Sequence, residues 1–77
     1  MNQKIKDILA EVLLFKVTEH NMDVDLFESG HMDSFAHIEM INVLEEQFNL
    51  SIPIEIIEEG ALNTYNRILK YVSDEGM

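Results

Sequence analysis

The side chains with the most chemical potential in this 77-residue sequence fall in one short stretch, GHMDSFAHIEM, residues 30–40. Asp33 and Ser34 are adjacent, and His37 follows one helical turn later. An Asp, a Ser and a His so close together invite a nucleophilic reading. That chemistry needs a base hydrogen-bonded to the hydroxyl, an acid that orients the base, and an oxyanion hole. The spacing argues against it. At about 100° per residue, a helix opening at Ser34 turns His37 toward its apolar side. No Gly-rich elbow surrounds the serine. No catalytic role is expected.

Two other uses of Ser34 remain. One is a helix N-cap, a role for which Asp33 competes. The other is chemical attachment. First-turn N–H groups and the helix dipole favour an anion at a helix start, so a phosphodiester on Ser34 would sit where a phosphate is stabilised.

Metal chemistry finds little support. DVDLFESGHMDSF faintly resembles a calcium loop beginning at Asp23, but Phe27 falls on a ligand position and Glu28 on the required glycine. His20, His31 and His37 lack metal-ligand spacing. There is no Gly-rich phosphate loop and no dinucleotide fingerprint.

The elements that position this stretch follow from periodicity. Ile5, Ile8, Leu9, Val12 and Leu13 mark one face of a helix over about 3–16, with Leu14 off the stripe and free to pack on the next loop. Residues 17–33 show no period and hold Gly30. Leu26 and Phe27 are the expected anchors of this loop, whose length suggests function or a hidden helical turn. A second helix spans 34–48, ended by Asn49, a residue that tolerates the left-handed conformation. Pro53 argues against a central strand in LSIPIEIIEEG, so a short helix over about 54–59 is expected, ended by Gly60. A last helix, about 64–73, is capped by Asn63 or Thr64 and buries Tyr65, Ile68, Leu69 and Val72. The fold class is all-α: a single small bundle, residues 1–77, of three longer helices and one short one.

The second helix has two apolar faces. Met40, Ile41, Leu44 and Phe48, with His37, fall in one sector of about 100° and form the core side. The opposite sector carries Phe35, Ile38, Glu39, Asn42, Glu45 and Glu46. A solvated face needs neither Phe35 nor Ile38. An apolar spot fenced by carboxylates reads as a docking surface, unless Phe35 folds back under the preceding loop.

Composition bounds the partners. The chain has 15 acidic and 5 basic residues, a net charge of −10, and no cysteine. Nucleic acid and anionic membranes are poor partners for such a surface, and proteins with basic patches are good ones. No apolar run approaches the ~20 residues that span a bilayer. The N-terminal residues read as a mature helix. The missing cysteines fit a reducing compartment. A cytoplasmic monomer is expected.

The run GHMDSFAHIEMINVLEEQFNLSIP resembles the acyl carrier and peptidyl carrier protein family. Length, acidity, the long first loop, helix order and the Pro53 turn agree along nearly the whole chain. The resemblance implies that Ser34 carries 4′-phosphopantetheine through a phosphodiester. It implies that Asp33 helps hold Mg²⁺ while a phosphopantetheinyl transferase acts with coenzyme A. Phe35, Ile38, Glu39, Glu45 and Glu46 match the partner-recognition helix, and Glu58 and Glu59 would extend its acidic surface. Asn42 replaces a commonly apolar surface residue there, Phe35 a commoner Leu or Met, Ala36 a common Asp and Asn49 a common Gly. These departures lean toward a specialised carrier of acyl or aminoacyl thioesters, serving fatty-acid, polyketide, nonribosomal-peptide or D-alanylation chemistry. The partners implied are loading and processing enzymes with basic docking patches. The rival readings are an unmodified acidic helical interaction module and a small calcium or magnesium protein.

Overall fold

The computed structural model describes residues 2–75. It contains α1 (Asn2–Leu13), α2 (Ser34–Phe48), α3 (Ile54–Glu58) and α4 (Tyr65–Glu75), and no strand among the described residues. This is the all-helical class the periodicity predicts. Ile5, Leu9, Leu26, Met40, Leu44, Leu62, Ile68 and Val72 are fully buried and join α1, α2 and α4 around one core.

The first helix is shorter than expected, and the reason is local. Leu14 adopts a left-handed backbone, φ 54°, which stops the helix at Leu13 instead of near residue 16. That conformation costs a non-glycine residue on the order of 1–2 kcal/mol. It turns the chain back so that the Phe15 N–H donates to the Leu9 carbonyl at 3.2 Å and the Phe15 ring enters the core at 5% exposure. Burying a phenylalanine stabilises by about 1.5–3 kcal/mol, enough to offset the strain. Leu14 is left 87% exposed, so it does not pack on the following loop as its sequence position suggested.

The long loop does hold a hidden turn. Asp25 accepts hydrogen bonds from the N–H groups of Phe27 and Glu28, both at 2.9 Å, and so caps a turn that closes at Gly30. Leu26 and Met32 are buried, and the Leu26 N–H donates to the Asn63 carbonyl at 2.8 Å. The loop is thus pinned to the α3–α4 connection, and it delivers Asp33 to the start of α2.

Three other helix ends carry their sequence signals, while α4 runs past the expected end near 73 to Glu75. Asn49 is left-handed at φ 55°, and both its N–H and that of Leu50 return to the Glu45 carbonyl. Gly60 takes φ +77° after α3. Thr64 caps α4, its Oγ1 accepting from the Arg67 N–H at 3.0 Å.

Candidate functional site

Two residues divide the start of α2 between them. Asp33 is the N-cap: its backbone is extended and its carboxylate accepts from the Ala36 N–H at 2.8 Å. Ser34 is therefore not the cap but the first helical residue. Its side chain is exposed and takes no hydrogen bond among the described residues. The earliest N–H groups of a helix have no intrahelical acceptor. Ser34 thus offers an unengaged hydroxyl beside unsatisfied donors and the positive end of the dipole, an environment suited to a phosphodiester. Asp33 beside it, and Glu58 on the lining of the same cleft, are charges that oppose an anion there.

His37 lies one turn further on and faces inward, at 5% exposure. It cannot serve Ser34 as a base, because its ring packs edge-on against Phe27 at 4.8 Å. Burial lowers its pKa from the usual histidine value. Its Nε2 atom is buried without a hydrogen-bond partner.

The outer side of α2 stays open. Phe35 is 77% exposed and Ile38 61%, so Phe35 does not fold under the loop. Glu39, Asn42 and Glu46 are exposed on the same helix, and Glu58 and Glu59 are exposed on α3 and its C-cap. Glu45 differs from its neighbours. It is half-buried, and its Oε2 accepts from the Ile52 N–H at 2.8 Å, fastening the chain that leaves α2. Its charge, after burial and Glu75, also helps push the Tyr71 hydroxyl's pKa up. Its carboxylate is engaged within the protein.

Sequence reasoning missed Ile54. It opens α3, a helix with no buried residue, and is 60% exposed. With Phe27, Ile38, Ile41 and Ile57 it lines an open cleft of about 460 Å³ that reaches from Ser34 to α3. The signal available was numerical: IPIEII carries more isoleucines than a turn and a half of helix can bury.

The segment that builds this side is acidic, and the nearest cation of the chain to α3 is Arg67, whose guanidinium donates to the Gly60 carbonyl at 3.0 Å. Eleven of the fifteen acidic residues, and none of the five basic ones, lie between Lys16 and Arg67. Among the described residues the one ion pair joins the neighbours Glu19 and His20. The carboxylates around Phe35, Ile38 and Ile54 are therefore not paired with cations of their own chain. No cluster of three His, Asp or Glu able to hold a metal ion occurs among the described residues. No helix there is long and apolar enough to cross a membrane.

Residues 3–72 match the family described as "Phosphopantetheine attachment site". The chain belongs to that family. It is a carrier protein, and the family implies a covalently attached 4′-phosphopantetheine group. When bound, that group supplies a terminal thiol on a long flexible arm. Similar proteins include the D-alanyl carrier protein of Bacillus licheniformis, 37% identical over 73 residues, covering 95% of this chain and 94% of the relative. The D-alanyl carrier protein of Bacillus subtilis is 33% identical over 72 residues, covering 94% and 92%. That of Lactobacillus delbrueckii subsp. bulgaricus is 35% identical over 72 residues, covering 94% and 89%. The start of α2 passes a physical test for the group: an exposed, unbonded hydroxyl sits on a helix N-terminus that its neighbour already caps.

Proposed function

We propose that this carrier protein holds D-alanine as a thioester on a 4′-phosphopantetheine arm attached to the Ser34 hydroxyl. The observation that carries the attachment reading is the split between Asp33 and Ser34. Asp33 satisfies the helix, so modifying Ser34 breaks no hydrogen bond of the fold. The D-alanyl cargo is supported by the names of similar proteins that align along nearly the whole chain. Among the cargo classes the sequence left open, those names favour this one.

The chain itself supplies a handle and a face, and no catalysis. Asp33 lies beside the hydroxyl, where its carboxylate helps hold Mg²⁺ for the phosphopantetheinyl transferase. Phe35, Ile38 and Ile54, with Glu39, Asn42, Glu46, Glu58 and Glu59 around them, meet basic patches on the loading and processing enzymes. Glu45 joins that face with one carboxylate oxygen already held by the Ile52 N–H. The protein acts as a cytoplasmic monomer.

The test is incubation with coenzyme A, Mg²⁺ and a broad-specificity phosphopantetheinyl transferase, followed by intact mass. One phosphopantetheine adduct is expected on the wild type and none on Ser34→Ala. No adduct, or one that persists in Ser34→Ala, overturns the attachment. Loading the holo protein with a D-alanine-activating enzyme, against L-alanine and fatty acids, tests the cargo. An unmodified interaction module would bind partners through the same face while refusing the adduct.

A further inference from the structure

The acidic surface changes sign just past α3. Gly60 follows the α3 C-cap Glu59, and its carbonyl accepts from Arg67 Nη1 at 3.0 Å. A basic side chain that satisfies a carbonyl at a helix end is itself held in place there. A guanidinium carries five N–H donors, so Arg67, which is exposed, keeps others for a partner. Lys70 is also exposed and stands three residues further along α4, a spacing that sets the two cations side by side. With Ala61, Tyr71 and Asp74 they line an open pocket of about 210 Å³. Asp74 is the one carboxylate in that lining, and no ion pair joins it to either cation among the described residues. Gly60 also lines the cleft that runs from Ser34 to α3, so the pocket adjoins the docking face.

We propose that Arg67 and Lys70 form a positive edge to the docking face and seat a carboxylate of the loading enzyme, an Asp or Glu side chain beside its basic patch. This rests on the reading that the enzyme docks on the α2–α3 face. The point is register. A broad field of one sign attracts a basic patch without fixing where it lands. Two cations at the border penalise a basic patch that arrives displaced, and they reward a partner whose own charge changes sign at the same place. The fold fixes that border. Arg67 is fastened to the end of α3, so the edge keeps a set position relative to Ile54 and Ile57. The planar fork of a guanidinium matches a carboxylate, and Lys70 adds a second charge. Two cations against Asp74 leave the lining positive, on a chain whose net charge is −10. Glu75 and Glu45 act on the Tyr71 hydroxyl, so Arg67 and Lys70 are the groups that take the incoming anion.

The probe is a D-alanine-activating enzyme loading the holo protein at fixed salt. Arg67→Gln removes the charge and keeps an N–H donor for the Gly60 carbonyl. Lys70→Gln removes a charge that makes no ion pair among the described residues. Each should raise KM about two- to fivefold, the worth of an exposed ion pair, with kcat and Tm nearly unchanged. Attraction by net charge alone predicts the opposite sign, because a carrier that loses a cation draws a basic patch faster. An unchanged or lowered KM in Lys70→Gln overturns the proposal, whatever Arg67→Gln does to folding. Ile38→Ala is run beside them. If it loads like the wild type, or if the wild type takes no D-alanine, the underlying reading has failed and this proposal falls with it. If Ile38→Ala is impaired while Lys70→Gln is not, the positive edge alone is wrong. Zero-length carbodiimide coupling of carrier to enzyme, mapped by mass spectrometry, reads the contact directly. An amide between Lys70 and an Asp or Glu of the enzyme is expected. Coupling solely through carboxylates of the carrier and lysines of the enzyme overturns it.

Discussion

Replacing Asp33 by Ala removes one hydrogen bond, from its carboxylate to the Ala36 N–H at 2.8 Å, and leaves the core untouched. Losing an N-cap of this kind costs about 0.5–2 kcal/mol. A domain this small draws roughly 3–5 kcal/mol from its core, so the change is a substantial fraction of total stability. Unfolding entropy near 2.1 cal/mol/K per residue gives roughly 160 cal/mol/K for the 77 residues, so each kcal/mol moves the midpoint by about 6 °C. The expected fall in Tm is therefore about 3–12 °C, read by circular dichroism at fixed salt and pH 7. Asp33→Asn keeps a side-chain oxygen in the same place and should recover most of that loss. Ser34→Ala touches no bond of the fold and should stay within about 0.5 kcal/mol of wild type. The three variants together separate cap from handle. Asp33→Asn should fold well, and if the proposed Mg²⁺ role of its carboxylate holds, it should take up the arm more slowly. If Asp33→Ala melts with the wild type, or Ser34→Ala melts far below it, the division of labour at the helix start is wrong.

Other outcomes follow from the same structure. The lowered pKa of His37 means the unfolded chain takes up its proton first. Its contribution is therefore complete above the usual value near 6.5 and is lost as pH falls below it; melts between pH 7.5 and 5.5 should show this decline in the wild type and not in His37→Leu. Carboxylate titration is common to both proteins and cancels in the comparison. Glu45→Ala leaves the Ile52 N–H without its charged acceptor and should cost about 1–2 kcal/mol by chemical denaturation, whereas Glu45→Gln should restore part of it. Phe35→Ala and Ile38→Ala should leave Tm nearly unchanged, since both side chains face solvent, while each lowers a loading enzyme's kcat/KM by about tenfold, equivalent to about 1.4 kcal/mol. Added NaCl should raise Tm, because 15 acidic residues against 5 basic repel one another in the compact state.

How far the sequence revealed this depends on the range of the interactions. Helix faces, the Asn49 stop, the Gly60 turn and the inward direction of His37 are written in local spacing, and the structure agrees with them. The end of α1 is not local: Leu14 takes a left-handed backbone because Phe15 finds a place in a core built from three helices. Asp33 and Ser34 are both good caps by type, and only the geometry of the arriving loop selects between them. Glu45 has the spacing of a docking residue, and its bond to the Ile52 N–H appears only once the chain has returned from the end of α2. The orphaned Nε2 could not be seen either, since an unmet hydrogen bond is a property of packed neighbours.

The banishment of Lys and Arg from residues 17–66 bears on time as much as on binding. A broad field of one sign acts over a Debye length, about 8 Å at physiological salt, and can raise encounter rates by 10 to 10³. It does little to hold a complex once formed, a task left to short-range contacts. Here those contacts are few: Phe35, Ile38 and Ile54 are the large apolar side chains exposed on that side. Such a surface makes arrival fast and departure easy. That kinetic character suits a molecule that must leave one enzyme before it can reach the next.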